Sequence, residues 1–262
     1  MILDDITKHV RLRLQEDMKM LPLEEMMKKA DGTRRPVDFP FERAFRQPGL
    51  SYICEVKKAS PSKGVIAESF PYVAIARAYE EAGAAAISCL TERDFFQGHI
   101  QYLKEIAQAV TIPVLRKDFI VHAYQIYEAR AMGAAAVLLI CAILDEKTLQ
   151  SYLELAHSLG LSALVEAHDE REVHMALRCG ARVIGVNNRN LNDFTVSLQT
   201  SLSLRSLVPP SVLFITESGI KTPADIAIIK DHGVQGVLIG ETLMRAPDKT
   251  AMLRYLDGDS HG

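Results

Sequence analysis

Residues 123–140 read AYQIYEARAMGAAAVLLI. The stretch 123–132 has apolar and polar positions at helical spacing. The stretch 135–140 is apolar without alternation, as in a strand covered on both faces. Gly133 stands between them, where a helix that turns back on itself needs a residue tolerant of the left-handed region. The same device recurs in Gly83-Ala84-Ala85-Ala86-Ile87, Gly180-Ala181-Arg182-Val183-Ile184 and Gly233-Val234-Gln235-Gly236-Val237. With Gly133 these glycines are spaced by 50, 47 and 53 residues, about two strand–helix units each. Gly160 marks one more helix stop.

Working outward, eight short apolar runs are expected as strands: 52–56, 85–89, 113–115, 135–140, 162–165, 183–186, 212–215 and 236–239. Helical patterns lie between them at 72–82, 100–109, 123–132, 146–159 and 170–178. Eight strand–helix units in roughly 210 residues predict an α/β fold, a (β/α)8 TIM barrel. An open doubly wound sheet would alternate too, but the even unit size favours closure, and no GxGxxG follows the first strand. Residues 1–48 differ. A helical pattern runs through Ile6, Val10, Leu14, Met18 and Leu21, charges cluster at Lys28, Lys29, Arg34 and Arg35, and Pro36, Pro40 and Pro48 are expected to break regular structure. Another helix is expected near Phe41. The division is therefore a helical N-terminal extension, 1–48, packed on a barrel, 49–262, as one structural domain.

Composition excludes several classes of function. The 262 residues are 48% hydrophobic and 24% charged, an ordinary globular balance. The net charge of -3, the absence of Trp and an aromatic content of 6% argue against a nucleic-acid partner. The apolar run 134–144 ends at Asp145 and Glu146, well short of the ~20 residues of a membrane span. The N-terminus has neither the basic flank nor the apolar stretch of a signal peptide. Cys54, Cys89, Cys141 and Cys179 form no CxxC motif. They are expected to be reduced and buried, which suits a cytoplasmic protein.

In a barrel, chemistry sits at the C-terminal ends of the strands. Here those ends carry Glu55 with Lys57 to Gly64, Thr91-Glu92, Arg116-Lys117-Asp118, Glu166, Asn187-Asn188-Arg189, Glu217-Ser218-Gly219 and Gly240-Glu241; only the end at Ile140-Cys141-Ala142 is apolar. One polar strand end is ordinarily just solvated, but seven on one rim point to a site. Ser218-Gly219 and Gly240-Glu241 follow strands seven and eight, where glycines let backbone N–H groups approach a phosphate. Lys57, Lys117 and Arg189, facing Glu55, Glu166 and Glu217, suit an anionic substrate that needs proton transfer. Neither a metal-binding pattern nor a GxSxG context for Ser60 or Ser218 is found, so no metal is expected. His122, His168 and His232 are expected at the surface or as caps.

These residues carry a family resemblance. Glu55-Val-Lys57-Lys-Ala-Ser60-Pro-Ser-Lys-Gly64, Leu90-Thr-Glu92 with Phe95-Phe96, Pro113-Val-Leu-Arg-Lys117-Asp-Phe-Ile120, Leu164-Val-Glu166, Ile184-Gly-Val-Asn187-Asn188-Arg189-Asn-Leu191, Glu217-Ser218-Gly219-Ile220 and Leu238-Ile-Gly240-Glu241 resemble, in order, indole-3-glycerol phosphate synthase. Cys54 stands where alanine is expected, Lys58 for arginine, and His122 and Ser197 for acidic residues. The resemblance implies a carboxy-lyase of tryptophan biosynthesis. It would close the ring of 1-(2-carboxyphenylamino)-1-deoxyribulose 5-phosphate and lose CO2 and water, with no cofactor.

By similarity Lys117 is the acid at the ketone oxygen, Glu166 the base of the dehydration and Lys57 the second proton donor. Glu55 and Glu217 orient these groups, and Asn187 meets the sugar hydroxyls. Ser60, Arg189 and Lys57 hold the substrate carboxylate. Ser218, Gly219, Gly240 and Glu241 offer backbone N–H groups to the phosphate, the Glu241 side chain pointing away from it. A phosphorylated small molecule is the one partner expected, with no nucleic acid or membrane, and the chain is expected to be a monomer or weak homodimer. Rival readings are a phosphate-binding isomerase such as phosphoribosylanthranilate isomerase, a Schiff-base aldolase using Lys117, and a barrel that binds phosphorylated ligands without catalysis.

Overall fold

The computed structural model describes residues 2–33, 38–190 and 193–259; Arg34, Arg35, Pro36 and Leu191 lie outside them. Eight parallel strands form the barrel: β1 (Ser51–Val56), β2 (Ala86–Leu90), β3 (Val114–Lys117), β4 (Ala136–Ile140), β5 (Ser162–Ala167), β6 (Val183–Asn187), β7 (Leu213–Glu217) and β8 (Gly236–Ile239). They close in the ring order β1-β8-β7-β6-β5-β4-β3-β2, with β1 also paired to β2. The strands read as unbroken apolar runs because both faces are covered. Ile53, Leu115, Leu138 and Leu164 point into the barrel, while Cys54, Val137, Val165 and Ile184 pack beneath the surrounding helices.

Those helices include α4 (Tyr72–Glu81), α5 (Ile100–Ala109), α6 (Ala123–Ala131), α7 (Glu146–Ser158) and α8 (Glu170–Arg178), then α9 (Gln199–Leu204), α10 (Pro223–Asp231), α11 (Glu241–Arg245) and α12 (Lys249–Asp257). The turn-back at Gly133 has φ +90°, and Gly83, Gly160, Gly180 and Gly233 share the left-handed conformation. His122, one of the departures from the family pattern, caps α6: its Nδ1 accepts from Tyr124 N at 3.1 Å, the role an acid would fill. All four cysteines are free and buried.

Three earlier helices precede the barrel: α1 (Ile2–Met20), α2 (Leu23–Gly32) and α3 (Pro40–Ala44). Ile6, Val10 and Leu14 of α1 and Met26 of α2 pack with Val121 and Tyr124 at the start of α6. Pro40 was expected to interrupt structure; it is instead the first residue of α3, a position whose N–H has no helical partner in any case. Helix α3 stops the N-terminal end of the barrel. Phe41 and the following Phe45 are fully buried among the inward side chains. A Cβ on Gly236 would lie 2.8 Å from Phe45, so the bare glycine makes room for the plug. Buried Glu42 ties this plug to the barrel through Ser162 Oγ at 3.1 Å and Arg182 Nη2 at 2.7 Å.

Candidate active site

At the C-terminal end of the barrel the side chains enclose a cavity of about 400 Å3. Glu55, Lys57, Ser60, Lys117, Glu166, Asn187, Arg189, Glu217, Ser218, Gly219, Gly240 and Glu241 all line it. Five strands extend beyond their expected ends, and in four of them this brings Lys117, Glu166, Asn187 and Glu217 within β3, β5, β6 and β7 rather than in loops after them. Barrel interiors are filled in layers of four side chains from alternate strands. The uppermost layer here is ionic: Glu55 from β1, Lys117 from β3, Glu166 from β5 and Glu217 from β7.

Within that layer Lys117 Nζ contacts Glu166 Oε2 at 2.9 Å and Glu217 Oε2 at 3.1 Å, and Lys57 Nζ bonds Glu55 Oε2. Burial disfavours the Lys117 ammonium, but Glu166, Glu217 and Glu55 outweigh it and hold its pKa above the ordinary lysine value. Burial likewise disfavours ionised Glu166, yet Lys117 and then His168 hold its pKa below the carboxylate range. Glu217 goes the other way. Burial, with the negative charges of Glu166 and Glu55, lifts it to about 7 against the pull of Lys117. Three carboxylates share two lysines, and Glu217 takes the surplus proton. Its Oε1 is buried and makes no hydrogen bond.

The neighbouring strands give this layer space. Gly185 on β6 faces Glu217 Oε1, which a Cβ there would strike, and Leu164 Cδ1 would be 3.0 Å away. Gly240 likewise leaves room for the Glu55 carboxylate and for Lys57 Nζ, 2.8 Å from a built Cβ. A short hairpin, Ala59–Ser60 against Gly64–Val65, places Ser60 at the mouth.

After β7, two strands round the ring from the hairpin, Ser218 and Gly219 both have left-handed backbone, φ +69° and +85°. Asn188 fixes the turn: its Nδ2 donates to Thr216 Oγ1 at 2.8 Å and Ser218 O at 3.1 Å, while its Oδ1 accepts from Ser201 N at 3.0 Å. Asn187 Oδ1 accepts from Arg189 N at 3.1 Å. Glu241 is held by Arg245 Nε at 3.1 Å and lies 3.7 Å from Lys63 Nζ.

The end of β2 departs from expectation. Thr91 and Glu92 do not line the cavity. Thr91 joins a buried cluster with Arg116 and Asp118; Arg116 lies on the other face of β3 from Lys117. Glu92 is fully buried and accepts from the backbone N of Asp94, Phe95 and Phe96 at 2.7–3.0 Å. Arg13 of α1 completes it at 3.1 Å. That link holds α1 at the mouth, where Ile2, Leu3 and Ile6 add an apolar wall.

His168 departs too. It is neither a surface residue nor a simple cap but lies between Glu166 and Glu172. The pattern Glu166-Ala167-His168 contained the signal, since residues two apart share a face of an extended chain.

The indole-3-glycerol phosphate synthase family model matches residues 3–256. The chain is 51% identical over 260 residues to the indole-3-glycerol phosphate synthase of Ruminiclostridium cellulolyticum, covering 99% of this chain and 100% of that protein. With the synthase of Lachnoclostridium phytofermentans the identity is 51% and 98% of each chain is covered. With that of Thermoanaerobacter pseudethanolicus it is 43%, over 95% of this chain and 94% of the other. Among solved structures, 3-hexulose-6-phosphate synthase superposes with a TM-score of 0.64 at 15% identity, over 80% of this chain and 99% of that one. Thiamine phosphate pyrophosphorylase from Pyrococcus furiosus gives 0.60 at 18% identity, over 80% and 94%. These two likenesses are of fold.

Proposed function

Because the chain belongs to the indole-3-glycerol phosphate synthase family, we propose that its ionic top layer is the acid–base machinery of that reaction. The reaction is that of a carboxy-lyase in tryptophan biosynthesis. The aromatic carbon bearing the carboxylate attacks the ketone of 1-(2-carboxyphenylamino)-1-deoxyribulose 5-phosphate. The bond to CO2 then breaks, its electron pair restores the aromatic ring, and loss of water gives indole-3-glycerol phosphate.

Attack on the ketone puts negative charge on its oxygen, and Lys117 delivers a proton there. Glu166 then takes the proton lost in dehydration, and Lys57 protonates the departing hydroxyl. Glu55 and Glu217 orient the two ammonium groups, and Asn187 meets the sugar hydroxyls. Arg189, Ser60 and Lys57 hold the substrate carboxylate, for which a guanidinium fork is well matched. The phosphate takes the backbone N–H groups of Ser218, Gly219, Gly240 and Glu241, the last with its side chain drawn aside by Arg245 and Lys63.

One observation carries this reading: Lys117 stands between two carboxylates in the same cavity as the Lys57–Glu55 pair. General acid catalysis is worth about 10²–10⁴-fold, so Lys117→Ala is expected to lose turnover by that order while remaining folded. Indole fluorescence and released CO2 measure it. Near-normal turnover rules out the acid assignment.

Residues 1–48 act as an extension of the barrel, 49–262, and help bind the substrate. The site is complete within one chain, which supports a monomer or weak homodimer. The four buried, unpaired thiols fit the reducing cytoplasm. Among the described residues no helix is long and apolar enough to cross a membrane.

A further inference from the structure

We propose that His168 is a positioning residue, which aims the Glu166 carboxylate and is itself held by Glu172 of α8; this rests on the reading of Glu166 as the base. The two oxygens of Glu166 have separate cationic neighbours. Oε2 receives Lys117 at 2.9 Å, and Oε1 faces His168 Nε2 at 3.4 Å. His168 Nε2 is buried and has no hydrogen bond, and catalytic contacts of this kind tighten when substrate binds. On its other edge the imidazole is fixed. Nδ1 lies 3.1 Å from Glu172 Oε2, and the His168 backbone N donates to that oxygen at 2.8 Å. Glu172 is itself buried in the first turn of α8, its N–H held by the N-cap carboxylate of Asp169 at 2.8 Å. A helix thus fixes the ring, and the ring meets the carboxylate.

The groups around His168 are Glu166 from β5 and Glu172 of α8, with Lys117 beyond Glu166 and with the Asp169 carboxylate and the Cys141 thiol of the turn after β4 both against the Glu172 backbone. Burial works against an imidazolium, but Glu166 and Glu172 outweigh it and lift His168 to about 10. Signs therefore alternate along Lys117, Glu166, His168 and Glu172. When Lys117 gives its proton to the ketone, Glu166 loses one of two cationic neighbours and becomes more basic. His168 keeps its aim through that change. An imidazole that merely decorated the start of α8 would make the Glu172 contacts without acting on Glu166.

The test compares His168→Ala, His168→Gln, Glu172→Gln and Glu166→Gln in the full chain. In His168→Ala we expect kcat to fall at least about tenfold, part of the about 10²–10⁴-fold of a positioned base, with KM within about twofold. Without the imidazolium Glu166 ionises less readily, so the acid limb of the kcat profile moves to higher pH. His168→Gln, an uncharged donor, recovers part of kcat but keeps the moved limb, whereas Glu172→Gln, which frees the ring but leaves it charged at that pH, lowers kcat without moving the limb upward. In the unaltered protein, labelled His168 should titrate near 10 by NMR; an ordinary histidine value overturns the proposal whether or not the variants fold. An unmoved limb or unchanged kcat in His168→Ala, beside an inactive Glu166→Gln, removes the proposal alone. Normal turnover in Glu166→Gln removes the base reading and the proposal with it.

Discussion

Asn187 Cα pairs with Glu217 Cα in the β6–β7 register, so the carboxylate that carries the surplus proton is set by a strand ladder and not by a loop. Its environment follows from that placement. Gly185, two residues earlier on β6, lies beside Glu217 Oε1, and Lys117 reaches the other oxygen from β3.

Glu217→Gln tests the surplus proton. Glu217 titrates at an ordinary 4.5 when unfolded and at about 7 when folded. Between those values the native state holds a proton that the unfolded chain has released, so this group's contribution to stability falls as pH rises through the window. The glutamine variant has no such loss. Relative to wild type it should gain roughly 3 kcal/mol between those limits and then stay level, while turnover drops. Denaturation midpoints taken from pH 4.5 to above pH 7 measure the gain. A difference that does not change with pH would show that Glu217 has an ordinary pKa in the folded chain.

Gly185→Ala places a methyl group against Glu217 Oε1 and Leu164. Overpacking of this kind costs about 1–3 kcal/mol. The larger effect is expected on kcat, which approaches the about 10²-fold loss that an ångström of misplacement can cause. KM should hardly change, because the residues proposed to hold the phosphate and the carboxylate are untouched. Steady-state kinetics separates the two parameters.

Arg13→Ala releases α1 from Glu92 and Asp94, which it now contacts at 3.1 and 2.9 Å. Hydrogen bonds to charged groups are worth about 1.5–3 kcal/mol, so a stability loss of that size is expected. Ile2, Leu3 and Ile6 would be held less firmly at the mouth, and KM should rise more than kcat falls. A fall in kcat at constant KM would show that the helix acts on the chemistry and not on binding.

The barrel was legible where signals are local. A glycine after α4, α6, α7, α8 and α10 and a doubly covered apolar strand mark themselves within a few residues, which is why eight runs located eight strands. The strand ends were not, because Lys117, Glu166, Asn187 and Glu217 end the apolar runs while hydrogen-bonded pairing continues through them. The plug formed by Phe41 and Phe45 depends on a barrel floor drawn from strands all along the chain, from Ile53 to Leu238, and nothing near Pro40 announces it. Among the strand ends, Glu92 reads like the others in sequence. Only the docked α1 explains why it serves an arginine and not the cavity. His168 was read as a surface or cap residue although period-two spacing placed it on the face of Glu166, and its second partner, Glu172, depends on how α8 returns against β5.

The cysteines have a practical use. Cys54 and Cys89 lie on adjacent strands, and Cys141 and Cys179 beyond them in other sectors of the molecule, all shielded from solvent. A thiol-directed reagent added without denaturant therefore reacts only with molecules that have opened. The rate at which it is consumed counts those openings, and the order in which the four positions are labelled shows which sector gives way first.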